Sequence, residues 1–138
     1  MDITGVGLWG PMQKSFMDIR VFHPGAPSYR DRPPAQLYKS HTAAKKRAYN
    51  QRVQVVEGGT FTPLVFSTSG GTAPEVSMVL KKIASKIAKN RGEVYSETIN
   101  FLRQKLRFRL LKATLLSLRG SRETIGYGGN LEDIDFNL

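Results

Sequence analysis

Residues 16–22 have the sequence Phe16-Met17-Asp18-Ile19-Arg20-Val21-Phe22, in which one acid and one base stand among apolar side chains. The run predicts a β-strand, whose successive side chains point to opposite faces of a sheet. Asp18 and Arg20 would then share one face. The other face, which we expect to point into the protein, carries Met17, Ile19 and Val21. Because charges on an apolar strand are costly to place without partners, this strand is a candidate functional site.

Two further stretches carry charges that can join this strand. Asp2 begins an apolar, Gly-containing segment that we expect to form a strand over residues 2–9, ending at the turn Gly10-Pro11. Residues 45–49 have the sequence Lys-Lys-Arg-Ala-Tyr within a stretch of helical composition. If Asp2 lies on a strand next to Asp18, two carboxylates and several cations converge. That set is the minimum for metal-assisted cleavage of a phosphodiester.

The hydrophobic period changes along the chain and predicts the order strand, strand, helix, strand, helix, helix. Strands are expected at residues 2–9, 15–23 and 60–67, with Pro63 placing the third at a sheet edge or near a strand start. Helices are expected at residues 36–56, from a Thr72 cap to Asn90, and at residues 96–118. The predicted fold class is α/β: a small mixed β-sheet flanked by helices, with two amphipathic helices at its C-terminal end.

The last predicted helix carries an apolar stripe and several bases. The members at helical spacing are Ile99, Leu102, Leu106, Leu110 and Ala113. We expect the stripe to be broadened by Phe101, Phe108, Leu111, Leu115 and Leu118. Arg103 and Arg107 lie outside it and suit phosphate contacts along a duplex, which position a protein without reading sequence. A basic amphipathic helix can also lie on an anionic membrane, and that alternative stays open.

The charge of the chain favours a nucleic-acid partner. There are 21 Lys and Arg against 11 Asp and Glu, a formal net charge of +10. Four acids and one Arg lie in residues 121–138, so residues 1–120 hold 20 basic and 7 acidic residues. Such a field attracts polyanions and makes binding salt-dependent. We therefore expect DNA, with RNA as the other candidate.

Composition also excludes several classes. With no Cys, the chain has neither disulfides nor a thiolate zinc site, and a reducing compartment such as cytosol or nucleus is expected. A zinc site would need both His23 and His41 with carboxylates, which we do not expect. No apolar run approaches a membrane span, so we expect no membrane partner. The length predicts one domain over residues 1–119, followed by a flexible acidic tail over residues 120–138.

Asp2 followed by Asp18-Ile19-Arg20 resembles the PD-(D/E)XK signature of restriction-endonuclease-like nucleases, in which an acid and then an acid-x-lysine triplet lie on adjacent strands. The closer resemblance is to the restriction-like endonuclease domain at the C-terminal end of some non-LTR retrotransposon polyproteins. There the second motif is Asp-hydrophobic-x-Val, and the lysine lies on the following helix beside a Tyr. Asp18–Val21 and Lys45–Tyr49 fill those places here. The likeness covers residues 2–68.

This resemblance implies a Mg²⁺- or Mn²⁺-dependent DNA endonuclease in the nucleus. Asp2 and Asp18 would hold the metal, with the Ile19 carbonyl. Lys45, beside Tyr49, would orient water or stabilise the developing charge, with Lys46 as the second candidate. Arg20 departs from the family lysine; its guanidinium can clamp a phosphate but cannot accept a proton. The upstream helix and zinc knuckle of the retrotransposon proteins do not precede Asp2, so we expect a fragment of a larger polyprotein.

Plainer interpretations of these residues stay open. Asp18 can be an ion-pair partner of Arg20 or of a helix lysine, and Asp2 can fray as a second residue. Residues 45–47, with Arg47 as the third base, can be a solvated helix face or a nucleic-acid contact. His23 can be a general base or incidental. The sequence Gly70-Gly71-Thr72 can present amides to a phosphate or serve as a plain strand-to-helix turn.

Three functions of different classes follow. The first is the metal-dependent endonuclease that nicks target DNA. The second is a non-catalytic basic DNA- or RNA-binding domain on the same scaffold, and the third is an assembly module that binds an acidic protein surface. Asp18 separates the first two, because an enzyme needs this carboxylate and divalent metal, whereas a binder should lose little affinity, or even gain some, when the negative charge is removed. Weak nucleic-acid binding even at low salt would indicate the third.

Overall fold

The computed structural model describes residues 2–119 and has a mixed α/β fold, a three-stranded sheet with three α-helices. The predicted fold class is confirmed at that level. In chain order the elements are β1 (Ile3–Val6), β2 (Lys14–Phe22), α1 (Pro34–Val55), β3 (Thr60–Ser67), α2 (Pro74–Arg91) and α3 (Tyr95–Arg119). A short 3-10 turn, Pro27–Tyr29, lies in the Pro-rich loop before α1. The acidic tail predicted for residues 120–138 lies outside the described residues.

The sheet has the strand order β1-β2-β3. β1 is antiparallel to β2, with Ile3 opposite Met17, whereas β2 and β3 are parallel, with Asp18 opposite Pro63. A parallel pair needs a crossover connection, and α1 supplies it. Pro63 lies on an edge strand, where its missing N–H removes no ladder hydrogen bond that another strand needs, as the sequence predicted.

The helices cover the two faces of the sheet. α1 packs on the face that carries Phe16 and Phe22, where Val53 joins Phe16 and Leu37 joins Phe22. The other face packs against α2 in a buried cluster of Met17, Leu64, Phe66, Val76 and Val79. α3 contributes its half-buried side chains to this second cluster. Both β2 and β3 therefore supply side chains to the two layers of the core.

Two side chains of β2 are less buried than the sequence predicted. Met17 is buried, but Ile19 and Val21 are 42% and 45% exposed. β1 pairs with β2 only as far as Met17, so the outer edge of β2 is open beyond that residue. The expectation that the whole apolar face of the strand points into the protein was wrong for its second half.

The structure corrects two details of the last helices. The residue capping the start of α2 is Ala73, followed by Pro74, and not Thr72, which instead forms a bridge to Phe66. In α3, Ile99 is buried as expected, whereas Ala113 is exposed. The residues expected to broaden the buried stripe are exposed among those described: Phe101, Phe108, Leu111 and Leu115. None of the helices within residues 2–119 combines the length and apolarity that crossing a bilayer demands.

We expect His41 to make the stability of the fold sensitive to acid. Its ring lies 4.7 Å from that of Phe22 and 5.6 Å from that of Tyr29, and its Nε2 is buried without a hydrogen-bond partner in the described part of the chain. Burial, and secondarily the charge of Arg20, lower the pKa of His41 below its usual 6.5. As the pH falls, His41 therefore takes up a proton in the unfolded chain before it does so in the folded chain. The free energy of unfolding that neutral His41 contributes is fully present above pH 6.5 and is lost as the pH drops below that value.

We expect Tm to fall as the pH is lowered from 7.5 to 5.5. The contribution of one proton to the free energy of unfolding changes by no more than about 1.4 kcal/mol per pH unit. His41→Phe should flatten this dependence, because Phe keeps the ring packing and does not titrate. His23→Gln is the matched control and should retain it. If His41→Phe leaves the slope unchanged, His41 is not the group responsible.

Candidate active site

The β1–β2 register places Asp2 directly beside Asp18. Because Ile3 is opposite Met17, the preceding residue reaches the outer edge of β2 next to Asp18. The backbone N–H of Asp2 donates to the Met17 carbonyl at 3.2 Å, and its Oδ2 accepts the Ile19 N–H at 2.7 Å. Asp2 thus continues the pairing of β1 by one residue, with its carboxylate replacing the next carbonyl of the ladder.

Asp18 faces α1 and is nearly covered by it. The residue is only 6% exposed, and its Oδ2 forms an ion pair with Nζ of Lys45. The lysine side chain is itself mostly covered, with 20% of its area exposed. A carboxylate this far from water requires a partner, and the helix that crosses this face of the sheet provides one.

Tyr49 holds the other side of Lys45. Lys45 Nζ lies 5.4 Å from the centroid of the Tyr49 ring, as expected for residues four apart on a helix. The Tyr49 ring packs against Phe61 of β3 at 5.5 Å. The ammonium group therefore lies between a buried carboxylate and an anchored ring, and its position is determined from two sides.

The remaining candidate cations lie apart from this pair. Arg20 is on the same face of β2 as Asp18 but is exposed. Lys46 pairs with Glu75 of α2, Nζ to Oε1 at 3.0 Å, so its charge is directed away from Asp18. Arg47 is exposed on α1. Of the three consecutive bases, only Lys45 joins the carboxylate.

Arg103 and Arg107 lie on the opposite side of the sheet. Both line a cleft of about 140 Å³ between α3 and the loop after β3, together with Gly70 and Thr72. The amides of both glycines in that loop are already used, since the Gly70 N–H donates to the Ser67 carbonyl and the Gly71 N–H to Ser67 Oγ, each at 3.0 Å. The loop is thus a plain strand-to-helix turn, with its bases supplied by α3.

The candidate metal ligands at this site are oxygen atoms. Within residues 2–119, no group of three or more His, Cys, Asp or Glu side chains could hold an ion. His23 hydrogen-bonds Thr68, Nδ1 to Oγ1 at 2.9 Å, and His41 is enclosed by aromatic rings, so neither faces the two carboxylates. A metal at this site would be held by Asp2, Asp18 and backbone carbonyls.

No family model, curated protein or solved structure matches this chain. The side chains from which a function can be inferred are therefore the Asp18–Lys45–Tyr49 cluster and the neighbouring Asp2, which binds the Ile19 N–H.

The sequence did not predict which partners individual basic residues have in the fold. The pairing of Lys46 with Glu75 joins two residues that are 29 positions apart in the chain, and no local pattern indicates it. The sequence also does not predict that Phe22 and Tyr29 enclose His41, because this contact requires the loop before α1 to fold against β2. The Lys45–Tyr49 spacing did carry a signal, since four residues separate neighbours on a helix face.

Proposed function

We propose that this chain is a metal-dependent DNA endonuclease domain of restriction-endonuclease-like, retroelement type, which nicks phosphodiester bonds in target DNA in the nucleus. The observation that carries the proposal is the ion pair of Asp18 with Lys45, beside which Asp2 accepts the Ile19 N–H at the outer edge of β2. Two acids on adjacent strands with a lysine from the following helix are the arrangement that the motif resemblance implies.

The available donors fit Mg²⁺ or Mn²⁺. Mg²⁺ is held by one or two carboxylates, keeps several waters and binds substrate phosphates, so it does not need a third protein carboxylate. Asp2 and Asp18 would be the ligands. The Ile19 carbonyl would join them, because in a strand it points to the same edge as the Ile19 N–H that Asp2 accepts. Bound metal would polarise the phosphate and lower the pKa of an attacking water.

The side chains around the carboxylates have separate tasks. Lys45, fixed between Asp18 and the Tyr49 ring, would hold its ammonium near the reacting phosphate and stabilise the charge that develops there. Tyr49 positions Lys45. Arg20, exposed two residues further along the same face, would clamp a phosphate through two of its guanidinium N–H donors. Its permanent charge makes it an electrostatic group and not a base.

DNA would be held by the charge of the whole chain and by local bases. The net charge of +10 favours a polyanion, and Arg103 and Arg107 share one cleft on α3. We expect Arg103→Gln/Arg107→Gln to weaken duplex binding and to reduce the slope of log affinity against log salt by about 2, since each phosphate contact contributes about 0.9. A fluorescence-anisotropy titration at several salt concentrations measures both.

The matched control for this change is Arg30→Gln/Arg32→Gln. It removes the same charge from exposed positions near the 3-10 turn before α1. A uniform electrostatic effect would make the two double variants equal. Equal salt slopes would therefore contradict a specific phosphate-binding role for the α3 cleft, while leaving the nuclease proposal untouched.

A second candidate function is a basic DNA- or RNA-binding domain without catalysis. The observation in its favour is that Asp18 already forms an ion pair with Lys45 and is 6% exposed, so it is poorly open to a cation. In that case Asp18 and Lys45 form a structural ion pair between β2 and α1. Binding would be salt-dependent, as for the endonuclease, but divalent metal would leave the DNA uncut and would lower the affinity only as a competing cation.

Nicking of supercoiled plasmid by the full chain tests the proposal. We expect conversion to open circles with Mg²⁺ or Mn²⁺ and none with EDTA. Mn²⁺ binding followed by electron paramagnetic resonance gives a readout that does not depend on turnover. Salt-sensitive DNA binding with neither nicking nor Mn²⁺ binding would establish the binding domain instead, and Mn²⁺ binding without nicking would indicate an intact metal site that lacks a catalytic group.

A further inference from the structure

α3 carries apolar side chains on two opposite sides. The inner side, with Ile99, Leu106 and Leu110, packs toward α2 and the sheet. The other side carries what we call the outer stripe: Phe101, Phe108, Leu111 and Leu115, with exposures of 43%, 68%, 55% and 52%. With 3.6 residues per turn, the centre of the outer stripe lies about half a turn from that of the inner side. An exposed apolar patch of this kind marks an interaction site.

The spacing of the outer stripe is that of a helix-pairing seam. Phe101, Phe108 and Leu115 repeat every seven residues, and Leu111 occupies the intervening position between the last two. Apolar residues at these a and d positions of a heptad favour a second helix lying alongside. Gln104 takes one d position, where a single polar residue can set the register of the pair.

A cleft adjoins the stripe. It has a volume of about 430 Å³ and lies between α3 and the loop after β3. Its walls include Leu110, Leu111, Arg107 and the loop residues 68–71. Since Leu111 belongs to both the cleft and the outer stripe, a helix seated on the stripe could insert an apolar side chain here. Burial of such an anchor is what usually dominates binding at a helix interface.

The flanks of the stripe indicate the charge of the partner. Lys105 and Lys112 lie on one flank, at e positions, and Arg107 lies on the other, at a g position. Lys105 Nζ sits 5.6 Å from the ring centroid of Phe101, so its charge borders the apolar surface directly. A second copy of this helix would bring these bases against one another, which disfavours self-pairing. An acidic partner would neutralise them.

We propose that the outer stripe of α3 binds an acidic amphipathic helix of a partner protein. The partner presents apolar residues at its own a and d positions and Asp or Glu on the flanks, and it inserts one apolar side chain into the cleft beside Leu111. This surface lies on the α2 side of the sheet, away from Asp18, so it can act whether or not the chain is a nuclease.

The test uses the full chain and a synthetic fluorescent peptide of three heptads with Leu at a and d and Glu at e and g. We expect saturable binding of this peptide by anisotropy. A peptide with Lys in place of the flanking Glu should not bind. A scrambled Glu/Leu peptide of the same composition, which has no apolar seam, should bind at least about tenfold more weakly, as expected for loss of apolar burial.

Variants of the chain locate the site. Leu111→Gln/Leu115→Gln should weaken binding by at least about tenfold, because two exposed Leu side chains lose their burial against the peptide. Val55→Gln/Val56→Gln is the matched control at the end of α1, where both valines are exposed, and should bind normally. Lys105→Glu/Lys112→Glu should reverse the preference, so that this variant binds the Lys-flanked peptide more tightly than the Glu-flanked peptide.

Four results would overturn the proposal. One is equal affinity of Leu111→Gln/Leu115→Gln and Val55→Gln/Val56→Gln for the Glu-flanked peptide. Another is sedimentation of the chain as a dimer that Leu111→Gln/Leu115→Gln dissociates, which would assign the stripe to a second copy. Binding to vesicles of anionic lipid without peptide binding would assign it to a membrane surface. Peptide binding only after removal of residues 120–138 would assign it to the acidic segment of the chain itself.

Discussion

Asp18→Asn is expected to lower metal-dependent plasmid nicking by roughly 100-fold or more, because a metal ligand supplies several kcal/mol of transition-state stabilisation. The substitution keeps the shape of the side chain and removes its charge beside Lys45. Duplex affinity should stay equal or rise slightly, since the variant loses one negative charge. Nicking rate and duplex anisotropy, measured on the same preparation, separate the two effects.

The matched control for Asp18→Asn is Asp31→Asn. Asp31 is exposed in the Pro-rich loop before α1, so the same chemical change occurs away from β2. We expect this variant to nick at the rate of the unmodified chain. A circular-dichroism melt of each variant shows that the fold is retained. Nicking by Asp18→Asn at the rate of Asp31→Asn would remove Asp18 from the site and with it the endonuclease proposal.

Lys45→Met is expected to lower the free energy of unfolding by about 2 kcal/mol, because it leaves the carboxylate of Asp18 buried without its partner. The double variant Asp18→Asn/Lys45→Met should recover most of that loss, since a neutral amide is far cheaper to bury than a lone charge. Urea unfolding of the two single variants and the double variant completes a double-mutant cycle that isolates the pair.

The control for this cycle is Lys46→Met on the same helix. Its ion pair with Glu75 is much more exposed, with 48% of the lysine side chain accessible, so the expected loss is below about 1 kcal/mol. If Lys46→Met costs as much as Lys45→Met, or if the double variant recovers nothing, the Asp18–Lys45 pair is not a buried, coupled unit. The nicking assay is independent of this result.

Several elements could be predicted from local sequence. The bounds of β3, Thr60–Ser67, are those expected from the sequence, and of the two positions that Pro63 indicated, a sheet edge or a strand start, the structure shows the edge. Gly92 ends α2 in a left-handed conformation, with φ of 67°, where glycine carries no steric penalty. These features depend on residues close together in the chain, which is why periodicity and turn chemistry were sufficient.

The candidate site could be predicted as a set of residues but not as an arrangement. Asp18 and the spacing of Lys45 and Tyr49 were evident in the sequence. That Lys45 pairs with Asp18 while Lys46 pairs with Glu75 depends on how α1 is rotated over the sheet. A run of three consecutive bases contains no information on that rotation, because adjacent helix positions point in different directions.

The sequence by itself determined the strand character of β2, the alternation that puts Asp18 and Arg20 on one face, and the order of the elements, all of which follow from local backbone preferences. Only the tertiary structure decided that Asp2 accepts the Ile19 N–H next to Asp18, that Ile19 and Val21 stay half exposed, and that the side chains of the outer stripe of α3 are exposed. These outcomes depend on where β1 ends and on which side of α3 meets α2. Burial is a property of packed surfaces, and a single strand or helix cannot specify what will cover it.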